Sequence, residues 1–411
     1  MSRTPFEIVP EGSITSTPGI QAAGVACGLK PTGALDLALV YSPTPCTAAA
    51  MYTTNAFQSA PVLYDRQAVG EHPRDMHGVV INSGCANACT GERGLHDARD
   101  TAAHAGQALG VPGERVAVMS TGVIGAYLPM DKIRAGIEGA VAALDEGVDA
   151  GHAAARAIMT TDTRPKEVAV RVRVGDADYT VAGMAKGAGM ISPNMATLLC
   201  VLTTDAAIDP APAEAALREA VEAGFNLITV DGDTSTNDTA LLLANGCSAA
   251  PRITSVDGGA YEAFRDALTH VVVELAKGLV RDGEGASHFV AVRVSGAPSR
   301  EEAKRVAMSV AKSSLVKTAI YGRDANWGRV ACAAGYSGVA IDPARVSIWL
   351  GDMLVYREGE PLALDEARAA AFLAETDVSL RIDLGAGNAD VTVWTCDLTH
   401  AYVDVNAHYR T

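Results

Sequence analysis

The sequence predicts an α/β protein, and three observations support that class. Short apolar stretches, such as residues 78–81 and 115–119, have the composition of buried strands. Stretches with helical spacing of apolar residues separate them, for example residues 130–143 and 261–279. The loops that follow the strands are rich in glycine and small polar residues. Alternating strands and helices indicate layers of sheet and helix, although periodicity alone does not distinguish a sandwich from a doubly wound sheet.

The alternation of strand and helix restarts near residue 285. We therefore predict a main domain over residues 1–284 and a smaller C-terminal α/β domain over residues 285–411. A short strand is expected over residues 226–230, and the last three strands are expected to end at the C-terminus.

Composition excludes several classes of protein. The chain has 411 residues, of which 48% are hydrophobic, and this proportion is sufficient for sizeable cores. Its net charge of -15 disfavours nucleic acid and anionic membranes as partners, because both attract basic surfaces. No apolar run is long enough to span a bilayer, and the N-terminus lacks a secretory pattern, so we expect a cytoplasmic protein.

The cysteines and histidines do not suggest a metal site. The eight cysteines are scattered, and Cys85 and Cys89 form the only close pair. No second pair follows at zinc spacing, and the nine histidines form no cluster in the sequence. We therefore expect reduced thiols, no metal and no His-based catalytic triad.

The stretch over residues 186–199 is the most informative part of the chain. Two glycines and a proline keep its first half out of regular structure, and Thr197 then opens an apolar run. A threonine hydroxyl in this position can attack the carbonyl of Ala196 and cut the chain, which would make Thr197 a new N-terminus. Its α-amino group, titrating near about pH 8, would then serve as the base for the hydroxyl. By spacing alone, an ordinary loop before a strand that begins with threonine is the more common explanation, because threonine is frequent in strands.

This stretch resembles the self-processing motif of the ornithine acetyltransferases, which are also called glutamate N-acetyltransferases or the ArgJ family. Further stretches resemble the same family in the same order and cover nearly the full length: Asn82-Ser83-Gly84, Ser120-Thr121-Gly122, residues 159–163, 231–239, 282–285 and 322–329, and the C-terminal residues 406–411.

The resemblance implies a fold and a processing step. The expected fold is the layered α/β sandwich of ornithine acetyltransferases and related aminopeptidases. Cleavage between Ala196 and Thr197 would leave chains 1–196 and 197–411, which are expected to assemble as α2β2.

The resemblance also implies the site. Thr197 would be the nucleophile, and Thr121 and Gly122 would form the oxyanion hole. The implied substrate contacts are Thr160, Lys186, Thr197, Glu284, Asn406 and Thr411, with Thr161 as the alternative to Thr160. A lysine can hold the substrate carboxylate, and a glutamate can hold the side-chain ammonium of a diamino acid.

The implied reaction moves acetyl from N2-acetylornithine to glutamate in arginine biosynthesis, by a ping-pong route through acetyl-Thr197. No cofactor is expected. Acetyl-CoA as a second acetyl donor, which would make the enzyme bifunctional, and a secondary-metabolism acceptor are left open. Two alternatives remain: an amidohydrolase or aminopeptidase that passes the acyl group to water, and an uncut, non-catalytic amino-acid-binding protein.

Overall fold

The computed structural model describes residues 6–192 and 198–408, which form two mixed sheets with helices packed against them. The strands of the first sheet are β1 (Phe6–Ile8), β2 (Gln21–Val25), β3 (Leu37–Tyr52), β4 (Met76–Cys85), β5 (Val116–Val123), β6 (Lys166–Val174), β7 (Ala177–Lys186), β8 (Leu199–Thr204) and β9 (Thr239–Ala244). The helices around it are α1 (Ala60–Glu71), α2 (Gly91–Leu109), α3 (Met130–Ala142), α4 (Val148–Ala157), α5 (Pro210–Ala223) and α6 (Gly259–Arg281).

The long strand β3 divides the first sheet into two halves. Its register shifts between Tyr41 and Cys46. Before the shift β3 pairs with β2 and β4, and after it β3 pairs with β9. The β4 half therefore contains β2, β4 and β5, and the β9 half runs β1-β6-β7-β8-β9.

The two halves pack face to face. Because side chains alternate across each strand, a strand of the sandwich contributes residues to a core on either side of its sheet. In β8, Cys200 and Leu202 face a core shared with α5 and α6. Leu199 and Val201 face the opposite core, which the β9 half shares with the β4 half. Helix α3 covers the outer face of the β4 half through Ile133 and its neighbours. The order of helix, sheet, sheet and helix confirms the predicted layered α/β sandwich.

A second sheet follows in the C-terminal part. Its strands are β10 (Phe289–Ala297), β11 (Ser347–Leu350), β12 (Met353–Arg357), β13 (Glu360–Pro361), β14 (Asp377–Asp383) and β15 (Ala389–Cys396), in the order β13-β12-β11-β14-β10-β15. The helices are α7 (Arg300–Lys312), α8 (Ser314–Tyr321), α9 (Trp327–Gly335), α10 (Glu366–Phe372) and α11 (His400–His408). Across the described ranges, no helix combines the length and apolar character needed to cross a bilayer.

The two sheets share apolar contacts. Phe289 and Cys396 lie in the second sheet but belong to the core of the first. Trp394 packs against the cores of both sheets. The division into domains at residues 284 and 285 stays a prediction.

The structure corrects two predicted strands. Residues 226–230 form no strand: a 3₁₀ turn covers Phe225–Leu227, and Ile228 makes only an isolated bridge to Trp394. The described part of the chain also ends in helix α11 rather than in a strand. The hydroxyl of Thr399 accepts a hydrogen bond from the Tyr402 amide at 3.4 Å, which satisfies one of the free donors at the start of this helix.

The sandwich core gives a stability prediction. Leu241 is 1% exposed between the two halves of the first sheet. Leu241→Ala should lower the free energy of unfolding by about 2–5 kcal/mol, because it removes buried methyl groups and leaves a cavity. The measurement is the urea unfolding midpoint, with Leu315→Ala as control because Leu315 is 60% exposed. Equal midpoints for the two variants would contradict the packing described here.

Candidate active site

One cavity brings together six of the residues predicted for the site. It is lined by Ala86, Thr121, Gly122, Ile124, Thr160, Thr161, Lys186, Gly189, Met190, Ser235, Thr236, Asn237, Glu284 and Asn406. These residues come from the ends of β4, β5 and β7, from the loops after α4 and α6, from the loop before β9, and from α11. Thr160 and Thr161 both line the cavity, so the choice between them stays open.

The predicted oxyanion donors lie where β5 passes the end of β4. Thr121 and Gly122 lie in β5 directly before its last residue, Val123, and pair with Ser83 and Gly84. Gly122 has φ 132°, and a Cβ at this position would lie 2.3 Å from the carbonyl carbon of Gly84. Only glycine fits such a conformation and approach without strain.

An asparagine fixes the strand ends beside these donors. The Nδ2 of Asn237 donates to the carbonyl oxygens of Ala86 and Ser120, each at 2.7 Å. The Ser120 hydroxyl in turn donates to Oδ1 of Asn82 at 2.6 Å. The sequence reasoning assigned no role to Asn237, although residues 231–239 were among the stretches that carry the resemblance.

Lys186 ends β7 and is 3% exposed. Its Nζ donates to the hydroxyl of Thr121 at 3.2 Å. Burial lowers the pKa of Lys186, while the nearby carboxylate of Asp162 opposes the shift. Lys186 thus lies at the cavity wall near the carboxylate of Asp162, and its hydrogen bond joins the predicted substrate contact to a predicted oxyanion donor.

Lys186 belongs to a buried charge cluster that the sequence reasoning missed. Lys166 Nζ contacts Asp162 and Asp282, each at 2.5 Å. Asp162 also accepts a hydrogen bond from the Gly187 amide at 2.7 Å. Burial would raise the pKa of Asp162, but Lys186 and Lys166 lower it to about 2, so the carboxyl is ionised. We call Lys166, Asp162, Asp282 and Lys186 the charge cluster.

The signal for the charge cluster was present in the sequence. Asp162 lies in the stretch over residues 159–163 and Asp282 in the stretch over residues 282–285, both of which carry the resemblance. Local pattern does not, however, show that Asp282 pairs with Lys166, which is 116 residues away.

Glu284 and Asn406 meet on the far wall of the cavity. The Nδ2 of Asn406 donates to Oε2 of Glu284 at 2.7 Å. The Glu284 amide donates to the carbonyl of Ala188 at 2.8 Å, which ties this loop to the segment after β7. A Cβ on Gly189 would lie 2.4 Å from the Glu284 carboxylate, so the absence of a side chain there permits the approach.

Two aspartates flank the predicted processing segment. Asp231 accepts hydrogen bonds from the amides of Met190 and Ile191, at 2.6 and 2.9 Å, and Met190 adopts φ 55°. Tyr402 of α11 also donates to Asp231, at 3.3 Å. On the other side, Asp238 accepts from the Leu198 amide at 3.0 Å. Burial raises the pKa of both carboxyls.

Three predicted residues lie outside the described ranges. They are Ala196 and Thr197 at the predicted cleavage site, and Thr411 at the C-terminus. Their assignments stay predictions. Within the described ranges, no three His, Cys, Asp or Glu side chains are grouped closely enough to hold a metal ion.

Comparisons with known proteins agree on one family. Residues 21–411 match the ArgJ family. The arginine biosynthesis bifunctional protein ArgJ of Symbiobacterium thermophilum is 52% identical over 403 residues, which cover 97% of this chain and 99% of the relative. The protein of the same name from Geobacter sulfurreducens is 47% identical and covers 96% of this chain and 99% of its own length.

A similar solved structure is the ornithine acetyltransferase of Mycobacterium tuberculosis in complex with ornithine. One of its chains is 42% identical and aligns with a TM-score of 0.43, covering 47% of this chain and 100% of that chain. Since the family match and the two sequence relatives each extend over nearly the whole sequence, the chain belongs to the ArgJ family.

Proposed function

We propose that this protein is a self-processing N-terminal-threonine acetyltransferase of arginine biosynthesis. It transfers acetyl from N2-acetylornithine to glutamate, with Thr197 as the nucleophile. The two chains produced by cleavage, 1–196 and 197–411, stay together as an α2β2 assembly in the cytoplasm. No cofactor takes part, and acetyl-CoA serves as a second acetyl donor, in line with the bifunctional proteins that the chain resembles.

The observation that carries the proposal is the composition of one cavity. The predicted oxyanion donors, a buried lysine and a carboxylate converge there from three separate segments of the chain: β5, the end of β7 and the loop after α6. Met190, before the predicted cleavage site, lines the cavity, and Leu198, after that site, donates its amide to Asp238, the neighbour of the cavity residue Asn237. Acyl transfer needs these components: a nucleophile, donors for the oxyanion and groups that orient the acyl carrier.

The roles follow from charge and position. Thr121 and Gly122 stabilise the oxyanion as the acetyl carbonyl is attacked. Lys186 holds the α-carboxylate that N-acetylornithine and glutamate share. Because Lys186 also donates to Thr121, substrate binding and the oxyanion donor are coupled through one hydrogen bond. Glu284, held by Asn406, attracts the side-chain ammonium of ornithine.

An amidohydrolase or aminopeptidase would use the same nucleophile and pass the acyl group to water. The charged walls of the cavity favour a transferase, because Lys186 and Glu284 are suited to the carboxylate and the ammonium of an amino acid. Incubation of N-acetylornithine with glutamate or with water alone, and of acetyl-CoA with glutamate, separates these outcomes. Acetate release at the same rate with and without glutamate would contradict acetyl transfer.

The first functional prediction concerns processing. Thr197→Ala should leave one uncut chain without activity, because both cleavage and transfer need the hydroxyl. Intact mass and N-terminal sequencing should show 1–196 and 197–411 for the unmodified protein. Thr197→Ser, which keeps a hydroxyl, should still be cut. A junction anywhere else would overturn the assignment of the nucleophile, and a single full-length band for the unmodified protein would indicate an uncut binding protein.

The second functional prediction concerns the oxyanion hole. Thr121→Ala should slow acetyl transfer by ~10²-fold or more, because one donor to the oxyanion is lost. Steady-state kcat is the measurement. Thr101→Ala is the control, since Thr101 is a buried threonine of α2 that bonds only within its helix in the described structure. An unchanged kcat for Thr121→Ala would remove this residue from the mechanism.

The third functional prediction concerns Glu284. Glu284→Gln should raise KM for N-acetylornithine by ~10-fold or more, because a charge-assisted hydrogen bond contributes about 1.5–3 kcal/mol. The effect on glutamate should be smaller or even favourable, since the carboxylate of Glu284 repels that of glutamate. Glutamine can still accept the hydrogen bond from Asn406, so the change removes mainly the charge. Equal losses for the two substrates would assign Glu284 to the structure of the site rather than to ammonium recognition.

A further inference from the structure

A second cavity, of about 250 Å³, has no role in the mechanism above. Its walls carry three basic side chains, those of Arg164, Arg281 and His288, together with the hydroxyl-bearing Thr376. Among the described residues that line it, none is acidic. Because the whole chain has a net charge of -15, a cavity whose charged lining is entirely basic calls for an explanation.

Arg281 is held in place before any ligand arrives. Two of its nitrogens donate to the two carboxylate oxygens of Asp377, at 2.5 and 2.6 Å. Its Cζ lies 4.0 Å from the centre of the Phe289 ring, so the guanidinium rests on an aromatic face. A guanidinium carries five N–H donors, and these bonds to Asp377 use two of them. A positioned arginine with further donors is suited to binding an oxyanion.

His288 adds a buried positive charge to the same wall. Its side chain is 7% exposed, its Nδ1 lies 3.0 Å from Oδ2 of Asp397, and its Nε2 lies 3.1 Å from the carbonyl oxygen of Leu373. Burial would raise the pKa of Asp397, but hydrogen bonds from Ser287 and His288 lower it below its ordinary value, so this group is a carboxylate. Since both ring nitrogens face acceptors, both must donate, and the ring is a cation.

Arg164 supplies a charge that the fold leaves uncompensated. Asp377 balances Arg281, and Asp397 balances His288. The side chain of Arg164 is exposed and makes no hydrogen bond or ion pair within residues 6–192 and 198–408. The cavity with its surrounding carboxylates therefore keeps one positive charge over, which attracts an anion.

The arrangement of the donors indicates which anion fits. Arg164 lies in the loop after α4, Arg281 ends α6, and Thr376 lies directly before β14. Donors thus come from three separate segments around the cavity. A single arginine fork satisfies a planar carboxylate, whereas a tetrahedral phosphate group can accept hydrogen bonds from several sides at once.

We propose that the second cavity binds the phosphate group of a small metabolite. The phosphate lies between Arg164 and Arg281 and accepts hydrogen bonds from both guanidinium groups and from the hydroxyl of Thr376. The charge of His288 strengthens the attraction without a direct hydrogen bond, because both of its ring nitrogens already have partners.

The second cavity shares two loops with the substrate cavity. Thr160 lines the substrate cavity and lies in the same loop as Arg164, and Glu284 lines it from the loop that follows Arg281. Asp282 already joins these loops by accepting the Thr163 amide at 3.0 Å. A phosphate between the two arginines adds a second connection and steadies Glu284. Phosphate should therefore favour binding of N-acetylornithine, a consequence that rests on the proposed function.

The binding test compares two exposed arginines. Arg164→Ala removes one donor of the second cavity. Arg173→Ala is the matched control, because Arg173 is an exposed residue of β6 that also makes no ion pair or side-chain hydrogen bond in the described structure. Inorganic phosphate is titrated calorimetrically at constant ionic strength. Arg164→Ala should bind phosphate ~10-fold more weakly or worse, while Arg173→Ala binds it like the unmodified protein. Arg164→Lys, which keeps the charge without the fork, should lie between them.

The coupling test measures KM for N-acetylornithine with and without saturating phosphate. Phosphate should lower this KM by ~5-fold in the unmodified protein and in Arg173→Ala, and leave it unchanged in Arg164→Ala. Chloride at the same ionic strength should have no effect in any of the three proteins.

Three results would overturn the proposal. Equal phosphate affinity of Arg164→Ala and Arg173→Ala would place the bound phosphate elsewhere, including in the substrate cavity. Tighter binding of malonate than of phosphate, lost in Arg164→Ala, would assign the cavity to carboxylates. A KM that phosphate does not change would remove the coupling. Failure of the proposed function is distinguishable, because calorimetry needs no activity: phosphate would then bind through Arg164 to a protein that transfers no acetyl group.

Discussion

The site depends on the buried contact of Lys166 with Asp162 and Asp282. This single ammonium group joins the start of β6, the loop after α4 and the end of α6. Asp162 extends the connection to the end of β7 through the Gly187 amide. Charges this deeply buried are tolerated only when each is paired, and removal of one partner leaves an uncompensated charge that costs about 3–5 kcal/mol. The charge cluster therefore fixes the positions of the elements that carry Thr160, Lys186 and Glu284.

The sandwich brings the remaining parts of the site to the same place. At the end of β7, Lys186 pairs with Leu199 of β8, which in turn pairs with Thr239 of β9. The loop before β9 then reaches across to the β4 half, where Asn237 binds the carbonyls of Ala86 and Ser120. The cavity thus lies where the two halves of the first sheet meet, and both halves supply its walls.

Helix α11 connects the end of the chain to the loops of the cavity. Asn406 binds Glu284, Tyr402 binds Asp231, and Thr399 donates to the carbonyl of Gly285 at 2.7 Å. Both carboxylates lie on loops that also contact the processing segment, through Ala188 and through the amides of Met190 and Ile191. One helix therefore steadies the Glu284 carboxylate and the strained turn at Met190 together.

The sequence by itself determined the alternation of strands and helices, because continuous apolar runs such as those of β8 and β9 indicate strands that are buried on both faces. Through the family resemblance it also pointed to six residues that the fold brings into one cavity, while their roles stay predictions: Thr121, Gly122, Thr160, Lys186, Glu284 and Asn406. Only the tertiary structure decided the pairing of Lys166 with Asp282, since contacts across 116 residues leave no periodic trace. The tertiary structure also decided the conformation of residues 226–230 and of α11. Their valine, isoleucine and tyrosine content favours strands. Within the described residues, however, the first segment forms one isolated β-bridge, to Trp394. The second segment folds as a helix against Glu284 and Gly285.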